Sequence, residues 1–218
     1  MIRKIKKTII YGCGDMGIQT YNILKHDPLV EVIGFLDDDK KNSTFIGLPV
    51  LGDSNVINDI KKTHKVTHGI VTIGDNKIRS KKTEDLIKKD LKILTIIHPQ
   101  AYTDNVMGIG VGTIVEMGAY IHPETIVGKG CFICSGSIVA HNSVVEDYAL
   151  IAGGVVFGSR VKIGSYSLIG VGANISPYIT VGKNVIVGTG SAVIKNLPDN
   201  VIAAGVPAKI LRENPKLI

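Results

Sequence analysis

A strict six-residue repeat in the second half of the chain is the feature that most constrains its fold. Every sixth residue over fifteen successive positions is apolar, and fourteen of the fifteen are Val or Ile. Neither the 3.6-residue period of a helix nor the two-residue period of a strand produces this spacing. The positions are Ile109, Val115, Ile121, Val127, Ile133, Val139, Val145, Ile151, Phe157, Ile163, Ile169, Ile175, Val181, Val187 and Val193.

A second set of positions, four residues further on, is small or β-branched. This pattern predicts a prism whose flat faces turn the large β-branched residues inward and whose tight corners hold the small ones. Stacked coils bury one continuous core and need covered ends, and we expect the proline-containing tail Leu197–Ile218 to leave the repeat and cover one of them. The small positions are Thr113, Ala119, Thr125, Cys131, Ser137, Ser143, Ala149, Val155, Val161, Ser167 and Ala173.

Before residue 97 the pattern is different, because strands alternate with helices. Such alternation implies a parallel sheet with helices on its faces. We therefore expect residues 1–96 to form a half-Rossmann-like α/β domain and residues 97–218 to form the repeat domain with its C-terminal cap. The predicted strands are Thr8–Tyr11, Val30–Leu36, Val50–Gly52, Gly69–Ile73 and Leu91–Ile97, and the predicted helices run from Met16 to His26 and from Lys77 to Lys89.

The composition excludes several classes of partner. Residues 1–95 carry 17 Lys and Arg against 12 Asp and Glu, and residues 96–218 carry 8 against 7. The excess lysines are scattered rather than clustered with aromatic residues, so we expect no nucleic-acid partner. The three cysteines are too few for a disulfide framework, and the chain shows neither a signal peptide nor a transmembrane run. These features predict a cytoplasmic protein without a membrane partner.

A glycine-rich turn, Gly12–Gly17, follows the first predicted strand and has the spacing GxGxxG. The N–H groups of such a turn and of the helix that follows can hold a diphosphate. Asp37 ends the next strand, where a carboxylate can accept a hydrogen bond from a ribose hydroxyl. These residues suit either NAD or the nucleotide of a nucleotide-linked sugar. The candidate binding residues are Gly12, Gly14, Asp15, Met16, Asp37, Asp38 and Gly74.

Three histidines, His98, His122 and His141, lie in or beside the repeat. His141 is the third residue of its hexad, so its side chain should point outward near a corner. A zinc hydrolyase would need three clustered histidines. His122 and His141 are 19 residues apart, one more than a coil of three hexads, so they should not stack on one face. We therefore expect no metal site.

Taken in order around the fifteen hexads, six short segments carry a resemblance to a known family. The chain resembles the bacterial sugar O-/N-acyltransferases of the hexapeptide-repeat family. Within these it is most similar to the nucleotide-sugar amino N-acetyltransferases of the bacillosamine and sialic-acid-like pathways. The resemblance implies that the coils wind left-handed, against the usual rule for parallel strands. The segments are Tyr11–Gly14, Gly34–Asp38, Ile73–Asn76, Ile97–Pro99, Ala140–Asn142 and Ala204–Lys209.

This resemblance implies an acetyl-CoA-dependent N-acetyltransferase of surface-glycan biosynthesis. Its acceptor would be the amino group of a UDP- or dTDP-linked 4-amino sugar, which the first domain would bind in preference to NAD. His141 would be the general base for direct attack on the thioester, with Asn142 beside it. Acetyl-CoA would lie in a groove between neighbouring β-helices of a homotrimer. The residues expected along that groove are Ser159, Gly170, Val171, Gly188, Thr189 and Lys195, with Lys209 as a second phosphate partner.

Three positions depart from the family pattern. Asn142 stands where the relatives often have an acidic residue, and we expect Glu146 or Asp147 to supply the missing carboxylate. Leu150 stands where some relatives have a second histidine, so backbone N–H groups near Gly158 and Ser159 become candidates to hold the acetyl carbonyl. Met16 replaces a histidine that is frequent in the glycine-rich turn.

Two further functions are compatible with the sequence. One is O-acetylation of a sialic-acid-like sugar, since the sequence alone does not separate amine from hydroxyl acceptors. The other is a non-catalytic nucleotide-sugar-binding scaffold whose β-helix only trimerises. Assays of both acceptor types with acetyl-CoA discriminate these alternatives.

Overall fold

The computed structural model describes residues 4–40 and 43–215. The chain divides into two units, Met1–Ile96 and Ile97–Ile218. Within the described ranges, no helix is both long enough and apolar enough to cross a membrane.

Within residues 4–40 and 43–96, the first unit forms a six-stranded sheet with three α-helices. Its strand order is β3-β4-β2-β1-β5-β6, and every neighbouring pair is parallel except the hairpin β3–β4. The elements are β1 (Lys6–Tyr11), α1 (Asp15–Leu24), β2 (Val30–Leu36), β3 (Ser43–Phe45), β4 (Leu48–Val50), a 3₁₀ turn (Ser54–Val56), α2 (Ile57–Thr63), β5 (His68–Val71), α3 (Asn76–Lys88) and β6 (Lys92–Ile93).

The central strand β1 is apolar on both faces because helices and loops cover both sides of the sheet. Ile9 and Tyr11 pack in one cluster with Ile57 and Ile60 of α2 and Leu86 of α3. The carboxyl ends of β1, β2 and β5 lie at the same edge of the sheet, since these strands are parallel neighbours. The loops that follow them, including the glycine-rich turn, therefore come together at that edge.

Three elements of this unit differ from the sequence prediction. The helix Ile57–Thr63 was not predicted, although Asp53 accepts a hydrogen bond from the N–H of Asn55 and so caps the turn leading into it. The predicted strand Val50–Gly52 shares only Val50 with β4, which is the second strand of a hairpin that begins at Ser43. The predicted strand Leu91–Ile97 is broken into β6 and β7 (Ile96–Ile97), because these two short segments belong to different sheets.

The second unit contains one two-residue strand for each hexad, and each strand ends on its repeat residue. These strands are β8 (Gly108–Ile109), β9 (Ile114–Val115), β10 (Tyr120–Ile121), β11 (Ile126–Val127), β12 (Phe132–Ile133), β13 (Ile138–Val139), β14 (Val144–Val145), β15 (Leu150–Ile151), β16 (Val156–Phe157), β17 (Lys162–Ile163), β18 (Leu168–Ile169), β19 (Asn174–Ile175), β20 (Thr180–Val181), β21 (Ile186–Val187) and β22 (Ala192–Val193).

These strands form three parallel sheets, one for each side of the predicted prism. Ile126 pairs with Gly108 and with Val144, so each coil advances by eighteen residues, or three hexads. Every repeat residue from Val115 to Val193 is buried, as are all the small residues four positions further on. The hexads therefore build five coils around one apolar core.

The corners of the coils share one backbone conformation. In fourteen successive hexads, the residue three positions after the repeat residue has a φ between 53° and 80°. This is the left-handed region that favours glycine. The corners form three columns with an eighteen-residue step. One column is Gly118, Gly136, Gly154, Gly172 and Gly190, a second is Gly112, Gly130, Tyr148, Tyr166 and Asn184, and the third is Glu124, Asn142, Arg160 and Tyr178.

The C-terminal tail leaves the repeat as predicted. Its strand β23 (Val201–Gly205) pairs in parallel with β21 and continues the sheet for one further strand. The chain then reverses, and β24 (Ala208–Glu213) pairs with β23 in antiparallel orientation. Residues 216–218 of the predicted tail lie outside the described residues.

Candidate active site

A cavity of about 430 Å³ lies at the carboxyl edge of the first unit's sheet. Helix α1 begins there, and its N-cap residue is Gly14, which has no side chain to cap the N–H groups of the first turn. The N–H groups of a first helical turn have no partner within the helix and carry partial positive charge. This end of the cavity is therefore suited to an anion. The lining residues are Gly12, Cys13, Gly14, Asp15, Met16, Asp37, Asp39, Lys40, Thr72, Ile73 and Gly74.

The glycines of the turn are needed for different reasons. Gly12 has a φ of 121°, and a Cβ on Gly17 would lie 2.3 Å from the carbonyl oxygen of Gly12. The backbone conformation therefore requires glycine at position 12, and the close packing of α1 against the turn requires glycine at position 17. A Cβ on Gly14 would meet no atom within 4 Å. Gly14 thus leaves space in the cavity that the fold does not use.

Asp37 connects the glycine-rich turn to the end of β2. One carboxylate oxygen accepts the N–H of Cys13 at 2.9 Å, and the other accepts the N–H groups of Asp39 and Lys40 at 3.0 and 3.2 Å. A carboxylate can accept about four hydrogen bonds, so this group has capacity for one more. Asp37 therefore shapes the cavity and can still accept a hydroxyl group.

Asp38 has a different position, although it was predicted as a binding residue together with Asp37. It does not line the cavity. Its oxygens accept hydrogen bonds from Tyr11 Oη at 2.5 Å and Lys82 Nζ at 2.6 Å. Burial alone would raise the pKa of Asp38, but the hydrogen bonds from Lys82 and Tyr11 and the charge of Lys82 together outweigh burial, so the pKa is lowered. Burial likewise opposes the charge on Lys82, but its bonds to Asp38 and Tyr11 raise its pKa to about 12. Asp38 therefore has a structural role.

The structure brings the other predicted residues, Asp15, Met16 and Gly74, into the cavity lining. It also adds five residues that the sequence analysis missed. Among these, the Lys40 ammonium donates a hydrogen bond of 2.6 Å to the Cys13 carbonyl. Burial, with a smaller contribution from Asp37, raises the pKa of the Cys13 thiol to about 12, so this thiol is not a nucleophile. The added residues are Cys13, Asp39, Lys40, Thr72 and Ile73.

His141 lies at a corner of the β-helix, two residues after the end of β13, and it is exposed. Its Nδ1 is 2.8 Å from Oδ1 of Asn142. The Nδ2 group of Asn142 in turn donates to Oε2 of Glu124. Since an amide oxygen only accepts, Nδ1 carries the proton and Nε2 has the free lone pair. This is the tautomer that a general base acting through Nε2 requires.

The expectation that Glu146 or Asp147 supplies the missing carboxylate is wrong. Glu146 accepts hydrogen bonds from the N–H and the hydroxyl of Ser165 and pairs with Lys162 at 2.9 Å. The pKa of Glu146 is lowered, and the bond from Lys162 is the largest cause. Asp147 accepts the N–H of Lys129. The carboxylate beside Asn142 is Glu124, one coil earlier. Subtracting the eighteen-residue coil from position 142 would have found it in the sequence.

The residues expected to contact CoA fall into separate groups. Val171 and Thr189 are exposed and lie eighteen residues apart at equivalent positions of successive coils. Ser159 has the same relation to His141, one coil further along. The corner that holds His141 joins β13 to β14, whereas the corner that holds Val171 joins β18 to β19. Within one chain these two groups are therefore on different corners.

Some expected contacts are explained by the fold itself. A Cβ on Gly170 would lie 2.7 Å from the N of Thr189, and one on Gly188 would lie 2.7 Å from the Cβ of Ala204. These two glycines are thus required by the stacking of the coils, and close approach of CoA is not needed to explain them. The N–H of Gly158 donates to the Ile175 carbonyl at 2.8 Å, which leaves Ser159 as the candidate to hold an acetyl carbonyl. Lys195 is exposed.

No group of three or more His, Cys, Asp or Glu side chains able to hold a metal ion occurs among residues 4–40 and 43–215. Leu150, at the position where some relatives have a histidine, is buried between Phe132 and Leu168 of the neighbouring coils. The Cys131 thiol is buried and donates to the Glu146 carbonyl at 3.1 Å. His141 therefore stays the candidate base of this unit.

An α/β domain with a glycine-lined cavity, followed by a hexad β-helix with an exposed corner histidine, is the arrangement expected of the hexapeptide-repeat sugar acyltransferases. Comparisons with known proteins agree with this class. Residues 7–86 match the family described as the PglD N-terminal domain. No curated protein matched the chain in a sequence comparison.

Several solved structures are similar to the chain over nearly its whole length. One is a perosamine N-acetyltransferase from Caulobacter crescentus in complex with CoA and GDP-perosamine, with 28% identity, a TM-score of 0.89 and coverage of 95% of this chain and 97% of that one. Another is the acetyltransferase domain of PglB from Neisseria gonorrhoeae with acetyl coenzyme A, at 28% identity, a TM-score of 0.87 and coverage of 95% and 100%. A third is WeeI from Acinetobacter baumannii, at 25% identity, a TM-score of 0.85 and coverage of 94% and 99%.

Residues 7–86 therefore form a domain of the PglD N-terminal type, and the whole chain is similar in structure to hexapeptide-repeat sugar N-acetyltransferases. The predicted fold class, an α/β domain followed by a left-handed parallel β-helix, is confirmed by the stacked sheets and by these neighbours.

Proposed function

We propose that this protein transfers the acetyl group of acetyl-CoA to the amino group of a nucleotide-linked amino sugar. The observation that carries the proposal is the similarity to the perosamine N-acetyltransferase, which includes both units and covers 95% of the chain. The similar Caulobacter crescentus enzymes are described as N-acetyltransferases of perosamine, which favours an amine over a hydroxyl acceptor. An exposed histidine in the required tautomer argues against a scaffold without catalytic activity.

In the proposed reaction, the nitrogen of the sugar amine attacks the thioester carbonyl while Nε2 of His141 takes a proton from that amine. The C–N bond forms, the C–S bond breaks, and the CoA sulfur leaves with the electron pair and is protonated. No acyl-enzyme is formed, so neither Cys131 nor Cys134 is required. General-base catalysis of this kind contributes about 100-fold or more to the rate.

The cavity of the first unit is the proposed site for the nucleotide part of the substrate. The start of α1 and the ammonium of Lys40 would face the diphosphate. The remaining acceptor capacity of Asp37 would serve a ribose hydroxyl. Among the described residues of the lining, the carboxylates of Asp15, Asp37 and Asp39 accompany the ammonium of Lys40, so we expect the helix N-terminus and backbone N–H groups to contribute to the attraction for phosphate.

We further propose that the acetyl-transfer site is formed between copies of the chain in a homotrimer. His141 and the residues proposed for CoA, Val171 and Thr189, lie on different corners of one β-helix, so corners of two chains must meet to combine them. One sheet of the β-helix also presents an exposed apolar row that suits a second copy of the chain. Its members are Tyr102, Tyr120, Ile138 and Val156, each 37 or 38% exposed.

The test is an assay of thiol release from acetyl-CoA with GDP-, UDP- and dTDP-linked amino sugars and their hydroxyl counterparts. Amino sugars should give product and hydroxyl sugars should not. The variant His141→Ala should fold and lose at least about 100-fold in rate. His64→Ala, which removes an exposed histidine after α2, is the matched control and should keep its rate. Full turnover by His141→Ala would refute the mechanism, and release with hydroxyl acceptors alone would favour O-acetylation.

Surface-glycan biosynthesis is the process in which we place this reaction. The cytoplasmic location expected from the sequence stays a prediction, as does the identity of the nucleotide and the sugar.

A further inference from the structure

Asn142 connects His141 to a carboxylate, Glu124, that the proposed mechanism does not use. Glu124 and Asn142 are successive members of one corner column, eighteen residues apart, and both have a φ of about 59°. The amide of Asn142 lies between the imidazole and the carboxylate. Its Oδ1 faces His141 Nδ1, and its Nδ2 faces Glu124 Oε2. The three side chains thus form a continuous hydrogen-bonded relay.

The chemistry of the relay has a fixed direction. An amide group can be turned by 180°, which exchanges its donor and its acceptor ends. An ionised carboxylate only accepts, so Glu124 holds the NH₂ end of Asn142 toward itself. The Oδ1 end then faces His141 and selects the Nδ1–H tautomer. Glu124 therefore controls which imidazole nitrogen is free to act as a base.

The backbone does not explain why glutamate stands at position 124. A left-handed φ is more favourable for glycine than for glutamate. The neighbouring corner column, Gly118 to Gly190, consists of glycine alone, so the coils accept glycine at this type of position. Asn142 is one of the residues that tolerate the conformation well, but glutamate is not. Other large residues, such as Arg160 and Tyr178, also occupy this conformation, so it is the hydrogen bond from Asn142 that indicates a role of Glu124.

We propose that Glu124 is a positioning residue that acts through Asn142 to hold His141 in its base-competent tautomer. It takes the place of the acidic neighbour that Asn142 replaces. This inference rests on the proposed acetyl transfer at His141, but its structural part concerns the free protein and can be measured without substrate.

The first experiment measures kinetics of three variants. Glu124→Gly removes the carboxylate without backbone strain, so its melting temperature should equal or exceed that of the wild type. Its kcat should fall by about 10-fold or more, while the KM values stay within about two-fold. Asn142→Gly should lose a similar factor, and the double variant should be no worse than either single variant, because both changes break the same relay. Glu124→Gln can accept or donate, so its rate should be intermediate.

The second experiment records the nitrogen-15 chemical shifts of His141 in histidine-labelled free protein, assigned by comparison with His141→Ala. The wild type should show the Nδ1–H tautomer, and Glu124→Gly should shift the population toward Nε2–H. Asp147→Asn, which changes a carboxylate outside the relay, should change neither the kinetics nor the tautomer.

Unchanged kcat and an unchanged tautomer in Glu124→Gly would overturn the relay. The outcome is separable from the proposed function. If His141→Ala loses activity and Glu124→Gly does not, the relay alone fails. If His141→Ala keeps its activity, the proposed mechanism fails, whatever the tautomer.

Discussion

Gly14 and Gly17 belong to the same glycine-rich turn, but the structure gives them different reasons to be glycine. A methyl group on Gly17 would collide with the Gly12 carbonyl oxygen, whereas one on Gly14 would enter the open cavity. Residues of one motif can thus serve packing or ligand binding, and the spacing GxGxxG does not distinguish them.

This difference predicts opposite behaviour of two alanine variants. Gly14→Ala should keep the melting temperature of the wild type. Its methyl group should prevent a close contact with the nucleotide sugar and raise the KM by about 10-fold, which corresponds to about 1.4 kcal/mol of binding free energy. Gly17→Ala should lower the melting temperature. Thermal unfolding and steady-state kinetics of both variants check this, and an unchanged KM in Gly14→Ala would remove the cavity from the substrate site.

The pair Lys82–Asp38 should make stability depend on pH. The pKa of Asp38 is lowered in the folded protein, so its contribution is present above its unfolded pKa and is lost as the pH falls through the folded value. The pKa of Lys82 is raised to about 12, so its contribution is present below its unfolded pKa and is lost as the pH rises through about 12. Both contributions are complete between about pH 5 and 10.

The variant Lys82→Met should therefore lose about 1 to 2 kcal/mol of unfolding free energy at pH 7. This range is kept low because Asp38 is half-exposed and solvent screens the pair. The difference from the wild type should shrink below about pH 4. Lys81→Met, at an exposed neighbouring position, is the control and should have little effect. Urea denaturation at pH 7 and at pH 3.5 measures both, and an equal loss at the two pH values would contradict the ion pair.

At the scale of the elements, each hexad contributes a two-residue strand, a buried repeat residue and a left-handed corner. The inward and outward residues of a strand should therefore differ strongly in their contribution to stability. Ile163 is fully buried in β17, whereas Thr180 is an outward residue of the adjacent strand β20.

Ile163→Ala should lower the unfolding free energy by about 2 to 5 kcal/mol, because it leaves a cavity between coils. Thr180→Ala should change it by no more than about 0.5 kcal/mol. Chemical denaturation of the two variants compares them directly. Similar losses in both would mean that the coil core does not determine the stability of this unit.

At the scale of the whole molecule, the exposed row Tyr102, Tyr120, Ile138 and Val156 is the feature that predicts self-association. The row has matched apolar residues on successive coils, and the rings of Tyr102 and Tyr120 stack at 4.3 Å. Such a continuous apolar strip on a rigid sheet is typical of a subunit interface.

We expect the wild type to sediment at about 70 kDa, three times the 23.3 kDa chain. Ile138→Glu should give a folded monomer, because a charge in the centre of an apolar interface is not solvated. Thr180→Glu, on another sheet, should leave the assembly intact. A trimer in Ile138→Glu would show that this row is not the interface, and loss of acetyl transfer in the monomer would support a site shared between chains.

The sequence alone determined the β-helix, because the inward and corner positions recur every six residues and this local period repeats unchanged over fifteen hexads. It also located the glycine-rich turn and His141, since each stands out against a regular local pattern. The boundaries in the first unit were less well predicted. Helix α2 and the hairpin Ser43–Val50 are short, and tertiary packing rather than periodicity stabilises them.

Only the tertiary structure decided what the side chains contact. Asp37 and Asp38 are adjacent in the chain, yet one lines the cavity and the other pairs with Lys82, which belongs to a helix 44 residues away in sequence. Glu124 reaches Asn142 because coil stacking places residues eighteen apart side by side. Contacts of this kind depend on the distance between side chains in space, and sequence neighbours such as Glu146 and Asp147 were therefore the wrong candidates for the carboxylate.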